Sequence, residues 1–375
     1  MNWNRVIALA AAALAVAATV AGCCTSNDIL GGSIAEFAFV SNETSNNVNA
    51  YSISSATGAL TPVTGSPFAG ETDPRGVGVD PSGKLLYMAN AGSNNISAYT
   101  INATSGALTP VAGSPFAAGS GPRGVVVDPS GKFVYAANEL SNDISAYTIA
   151  SSGAMTAVTG SPFAEGETAE QYGPRGVAID PSGRYLFVTN HLANNVSVFS
   201  ITASNGALVQ VTGSPFPSGN TPFNVAVDPS GKYVYVTNHL SGNVTAYTLN
   251  ATNGVLTEIT GSPFASGSQP HGVVVDPSGK YVYVANHGSN NVSAYGISAS
   301  SGALTELTGS PFAAGTAPYG LAVDLTGKYV YVANNGSSNV SAYSINATTG
   351  VLSEMAGSPF AAGTGPHGVA VARPQ

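Results

Sequence analysis

Two sets of residues carry whatever chemistry this 375-residue chain performs, because they vary against a near-constant repeated background. The first set follows a Pro and, at all but one copy, precedes a Gly: Arg75, Arg123, Arg175, Phe223, His271, Tyr319 and His367. The second follows a repeated Asn: Glu43, Ala91, Glu139, His191, His239, His287 and Asn335. Arg forks suit carboxylate or phosphate, aromatic faces suit sugar rings or other planar ligands, and a neutral imidazole near pH 7 serves as base or donor. A third irregularity lies beside them. From Phe163 to Pro174 there are 11 positions, against 6 from Phe116 to Pro122, and the added stretch carries Glu165, Glu167, Glu170 and Tyr172 just before Arg175.

The elements that position these residues come from seven copies of one unit. Gly-Ser-Pro-Phe begins at Gly65, Gly113, Gly160, Gly213, Gly261, Gly309 and Gly357, in steps of 48, 47, 53, 48, 48 and 48 residues. Each copy holds four short runs rich in Val, Ile, Tyr and Thr, cut by Asp-Pro-Ser-Gly and Ser-Gly turns, which reads as four antiparallel strands. Four strands at this period predict propeller blades, and seven of them a closed ring. A solenoid would leave end repeats in need of polar caps, which are not seen. The ends are complementary instead: the first unit opens at a second strand, Phe37 to Asn42, and the chain closes on a lone first strand, Gly368 to Val371. The expected fold is therefore all-β, a seven-bladed β-propeller of four-stranded antiparallel blades, closed by one carboxyl-terminal strand plus three amino-terminal strands.

Strand direction then places both variable sets on one face. The first strand leaves that face and the second returns to it, so the start of one adjoins the end of the other. With the first strand innermost, the Pro-x-Gly residues ring the channel mouth. All five Lys and Arg184 fall in turns on the opposite face, whereas Arg75, Arg123, Arg175 and all five His gather around the mouth. The insertion lies on the mouth face too, where a carboxylate from it would approach Arg175 and His191. Competing structural readings are that the Arg stems cover apolar surface and that each His makes a local backbone bond. Asp80, Asp128, Asp180, Asp228, Asp276 and Asp324 are expected to cap tight turns rather than bind metal, and the seven Phe of Gly-Ser-Pro-Phe to plug gaps between blades. Equivalent His on adjacent blades are too far apart for metal–nitrogen bonds of about 2.0–2.1 Å, so neither metal nor cofactor is expected.

Composition narrows the partners. With 11 basic against 19 acidic residues and a net charge of −8, the chain is a poor candidate for nucleic acid or an anionic membrane surface. Its 43% hydrophobic content excludes disorder. Residues 1–22 read as a secretory signal, and Val20-Ala21-Gly22-Cys23 resembles a bacterial lipoprotein signal, which implies acylation of Cys23; an ordinary signal peptide is the alternative. Residues 23–35 would then be a lipid-anchored linker and 36–375 the propeller. The exported protein would meet a membrane, inner or outer, only through that anchor, facing the periplasm or cell exterior, as a monomer. Cys23 and Cys24 are the only cysteines, so no disulfide framework is expected.

The phrases Tyr235-Val-Thr-Asn238, Tyr283-Val-Ala-Asn286 and Tyr331-Val-Ala-Asn334, with Pro-x-Gly-Val-x-Val-Asp, closely resemble seven-bladed propellers of the lactonase family. That family includes 6-phosphogluconolactonase-like enzymes and a fungal muconate cycloisomerase. They also resemble the surface propellers named for the Tyr-Val-Thr-Asn repeat. The likeness spans residues 35–372, and its phrases are blade scaffold. It implies hydrolysis or formation of a lactone of an anionic sugar or acid. In that reading His191, His239 or Glu170 activates water, and Arg75, Arg123 and Arg175 hold the substrate's anionic group and the developing oxyanion. Phe223, His271, Tyr319 and His367 complete the binding ring. The alternatives are a non-catalytic surface propeller that binds an anionic glycan, metabolite or partner protein, and a purely structural one. Fold alone does not choose between them.

Overall fold

Runs of Val, Ile and Tyr favour a pleated, half-buried surface, and Gly in left-handed conformation at the turns separates them. The computed structural model, which describes residues 35–165 and 173–375, shows these runs as seven antiparallel sheets among the described residues. Blade 2 is typical: from the axis outward, Pro74–Val79, Leu85–Asn90, Asn95–Ile101 and Leu108–Pro110. Blades 3 to 7 begin at Pro122–Val127, Pro174–Ile179, Pro222–Val227, Pro270–Val275 and Pro318–Val323. Blade 1 is built from both ends of the propeller. Its inner strand Pro366–Ala372 pairs with Glu36–Asn42, and Asn47–Ile53 and Leu60–Pro62 follow outward. The ring closes as the strand order requires.

Each turn Asp is consumed by its own turn. Asp128 Oδ1 accepts the Lys132 and Phe133 N–H groups at 2.7 Å each, while Oδ2 accepts from Ser130 N at 3.0 Å and from the Ser130 hydroxyl. Gly-Ser-Pro-Phe forms a small fifth piece that the strand pattern did not anticipate. In blade 2, Phe116–Ala117 pairs with the start of the third strand, and Ser114 Oγ accepts the Ala98 N–H at 2.9 Å. Phe116 packs on the core between blades 2 and 3, as expected of a plug, but is only half-buried. The phenyl groups therefore contribute less than full burial would give.

Tyrosines stitch the blades together. A second-strand Tyr donates to a carbonyl of the next blade, as Tyr283 does to Gly350 O (2.8 Å) and, across the closure, Tyr331 to Gly58 O (2.7 Å). A third-strand Tyr donates backward, as Tyr295 does to Ala265 O (2.6 Å). Blade 4 departs from this pattern at both places, with Phe187 and Phe199, and blade 1 at the first, with Phe39.

Candidate functional site

A backbone irregularity creates the site. Where the first strand meets the second, Pro122 pairs with Asn138 but the next pair is Val125 with Ala136, so Arg123 and Gly124 oppose one residue. This bulge recurs in each blade and turns the residue after Pro toward the mouth. The following Gly is required by crowding at the axis. A Cβ on Gly124 would stand 2.5 Å from the Arg175 carbonyl oxygen of the next blade, and one on Gly272 2.6 Å from that of Tyr319. Hydroxyls at the end of some second strands fix the same backbone: Thr189 Oγ1 donates to Phe223 O (3.1 Å) and Thr237 Oγ1 to His271 O (2.6 Å).

The bulges bring the predicted residues together around a cavity of about 190 Å³, whose wall includes Arg123, Arg175, Phe223, Asn224, Tyr319 and His367. Arg75, His191, His239 and His271 are not part of that wall but join it through contacts. A larger hollow of about 490 Å³ lies on the opposite face between blades 2 and 3. Its Asp80 and Ser82 are spent on their own turn, and Lys84, Thr100 and Ser151 are its remaining polar side chains.

The guanidiniums are not unpartnered cations. Arg123 and Arg175 both engage Glu139 through Nε, the latter at 2.8 Å, and Arg75 is bracketed by Glu43 and Asp73, with Nη2 to Asp73 Oδ2 at 3.1 Å. Three guanidiniums thus meet three carboxylates. Burial raises the Glu139 pKa, but Arg175 and Arg123 outweigh it and hold the carboxyl below its usual range. Among the described residues, the carboxylate beside Arg175 and His191 is that of Glu139 in blade 3. Glu139 was legible as a candidate because it occupies the place that His191 holds in the next blade. Glu170, Glu167 and Tyr172 lie outside the described residues, as does Cys23. Glu165 is described: it is 1% exposed, bonded through its N–H to Asn142 O of blade 3 and set beside Asn190 and Ser197 of blade 4, and it is not part of the cavity wall.

Four of the five imidazoles, with Phe223 and Tyr319, form one continuous ring cluster. Phe223 lies flat on His271 (3.9 Å between centroids, 2° between planes), His271 stacks on His287 (4.6 Å), and Tyr319 packs edgewise on His271 (4.2 Å) and against His367 (3.9 Å). Arg175 covers the other side of Phe223 at 4.4 Å. Burial, with the arginine charges behind it, holds His367 well below its ordinary pKa, and burial with its His neighbours does the same to His271. Both rings are neutral.

Two histidines are held through Nδ1. His191 Nδ1 lies 2.7 Å from the Gly173 carbonyl, an acceptor, so Nδ1 carries a proton, and Nε2 lies 3.3 Å from Glu139 Oε1. Burial and the Arg175 and Arg123 charges lower its pKa against the opposing pull of Gly173 and Glu139. His239 Nδ1 meets His271 Nε2 at 2.7 Å, and the other nitrogen of His271, Nδ1, is buried without a partner. A buried orphan acceptor is better tolerated than a buried orphan N–H, so His271 donates from Nε2. His239 then holds its proton on Nε2, a donor with no protein partner among the described residues.

A family model described as lactonase, 7-bladed beta-propeller, matches residues 14–116, 111–268 and 258–366. Solved structures of the same fold include a Bacteroides fragilis protein provisionally described as a 6-phosphogluconolactonase, 21% identical, covering 90% of this chain and 98% of its own at a TM-score of 0.78. The Pseudomonas aeruginosa periplasmic gluconolactonase is 19% identical, with 90% and 99% covered and a TM-score of 0.76. Kuenenia stuttgartiensis hydrazine synthase also matches, at 23% identity, 82% and 91% covered and a TM-score of 0.61. At these identities the likeness is one of fold. No curated protein matches the chain.

Proposed function

The chain belongs to the lactonase family of seven-bladed β-propellers, and from that premise we propose that it opens lactones by hydrolysis at the channel mouth. The observation that carries this reading is a pair of imidazoles near Arg175, His191 held through Nδ1 by the Gly173 carbonyl and His239 held through Nδ1 by His271, which leaves both Nε2 atoms for chemistry. Water gives a proton to His191 Nε2 as its oxygen adds to the lactone carbonyl. The oxyanion takes hydrogen bonds from His239 Nε2–H and from the terminal Nη groups of Arg123 and Arg175, whose Nε atoms are held by Glu139. The ring C–O bond then breaks, the alkoxide recovers the proton from His191, and a hydroxy acid leaves. Phe223 and Tyr319 flank the ring.

Acid release from gluconolactone and δ-valerolactone tests the proposal. Because the His191 pKa is lowered, the acid limb of kcat/KM should fall below pH 6.5, and His191→Ala should lower kcat at least about 100-fold. Turnover unchanged in His191→Ala would remove the assigned base. Ligand-induced thermal stabilisation without any turnover would favour a binding protein. We also read the amino terminus as a lipoprotein signal that places the propeller outside the cytoplasm. Labelled palmitate should enter the full chain and not its Cys23→Ala variant; equal labelling would overturn the anchor.

A further inference from the structure

The mouth is electrically balanced, small inside and apolar along one outer side, and these three features bear on the substrate. Arg75 is met by Glu43 and Asp73, and Arg123 and Arg175 share Glu139 through Nε, so three carboxylates already match the three guanidiniums and a substrate with a full charge of its own would upset that balance. The cavity, about 190 Å³, falls short of the roughly 300–1,000 Å³ of clefts that enclose drug-sized ligands. It takes a small ring, or the head of a longer molecule whose remainder lies outside.

That outside is not uniform. The residue after the rim position is Leu140, Leu192 and Leu240 on blades 3, 4 and 5, and Thr44, Gly92, Gly288 and Gly336 on the other four. The leucines are 72%, 52% and 68% exposed, among the most exposed large apolar side chains of the described residues. Each follows directly on a rim residue of the site, Glu139, His191 or His239. A single exposed Leu needs no explanation, but three at one structural place on consecutive blades form a directed feature. The opposite rim is low, being mostly Gly. A molecule seated in the cavity therefore has an apolar crest on the side of Arg123, Arg175 and Phe223.

We propose that the substrate is an uncharged lactone bearing an apolar tail, its ring in the cavity and its tail along Leu140, Leu192 and Leu240. This rests on the lactonase reading above. Phosphorylated sugar lactones fit neither the balanced charge nor the crest.

The test measures kcat/KM of the full chain on δ-lactones with alkyl substituents of increasing length, and on gluconolactone with and without a 6-phosphate. The expected result is a rise of about two- to fourfold per methylene until the tail outruns the crest, with no gain from the phosphate. Leu140→Ser/Leu192→Ser/Leu240→Ser should flatten the rise. Val209→Ser, which removes an exposed apolar side chain on an outer strand of blade 4, should leave it intact. A flat series in the wild type, a rise that persists in the triple variant, or preference for the 6-phosphate would overturn the tail assignment and leave lactone hydrolysis standing. Failure to open any lactone would overturn the lactonase reading itself.

Discussion

At the scale of the residue, buried polar groups decide what the mouth and its supports do. Glu165 shows how one substitution in a repeat changes the physics of a joint. In the next two blades the equivalent residues, Ser218 and Ser266, donate to Asn238 Oδ1 and Asn286 Oδ1 at 2.8 Å. Glu165 occupies that slot facing Asn190, whose Oδ1 has no partner, and neither Glu165 carboxyl oxygen has one either. Burial pushes its pKa up to about 8, against the pull of Ser197 and Asn190. A protonated carboxyl can supply the bond that the serines make elsewhere. Its folded-state pKa exceeds the ordinary 4.5, so its stabilisation is complete below about pH 4.5 and is lost as pH rises toward 8. Urea midpoints from pH 5 to 9 should fall across this window in the wild type, beyond the fall seen in Glu165→Gln, whose amide can donate without titrating. Parallel curves for the two proteins would show that Glu165 is not buried as the acid.

At the scale of the element, blade 4 is the least stitched part of the ring and also carries Arg175 and His191. Phe187 and Phe199 are buried at two places where hydroxyl donors otherwise stand, apart from Phe39 of blade 1 at the first of them. By the spacing of the repeats, their missing partners are the carbonyls of Gly254 in blade 5 and Ala164 in blade 3. Phe187→Tyr and Phe199→Tyr should each add about 0.5–1.5 kcal/mol, read as a higher urea midpoint at unchanged slope. Tyr235→Phe, which removes the 2.9 Å bond to Gly302 O, should cost about 1–3 kcal/mol by leaving a buried carbonyl unpaired. A lower midpoint in both blade 4 variants would mean that the extra oxygen is overpacked rather than bonded. The strands of this blade were legible in advance, from Tyr185-Leu-Phe-Val-Thr-Asn190 and its neighbours. The consequence of the two Phe was not, because it depends on carbonyls 35 and 67 positions away in the chain, which only the ring brings near.

At the scale of the whole molecule, closure converts a row of repeats into a site. Pro366–Ala372 covers the inner edge of Glu36–Asn42, and the same seam is crossed by Tyr51 to Ala361 O (2.6 Å) and Tyr331 to Gly58 O. Ending the chain after Gly365 would expose an unpaired strand edge and remove His367 from the mouth. Such a truncated protein should unfold at a lower temperature in a broader transition and run as soluble oligomers in size-exclusion chromatography. A monomer with the wild-type melting profile would show that the seam contributes little.

What the amino-acid sequence determined was everything that repeats. Asp-Pro-Ser-Gly turns, β-branched runs, seven copies and the split first blade each act through local geometry, and strand parity alone assigned Arg75, His191 and their counterparts to one face. What only the tertiary structure decided was who meets whom there. That Arg175 meets Glu139, that His239 meets His271, and that Glu165 lies beside an Asn of the next blade are matters of a few ångströms between different blades. Those distances come from the radius of the ring and the bulge at each Pro-x-Gly, because ion pairs and hydrogen bonds form over about 3 Å, a scale that residue type and spacing along the chain do not specify.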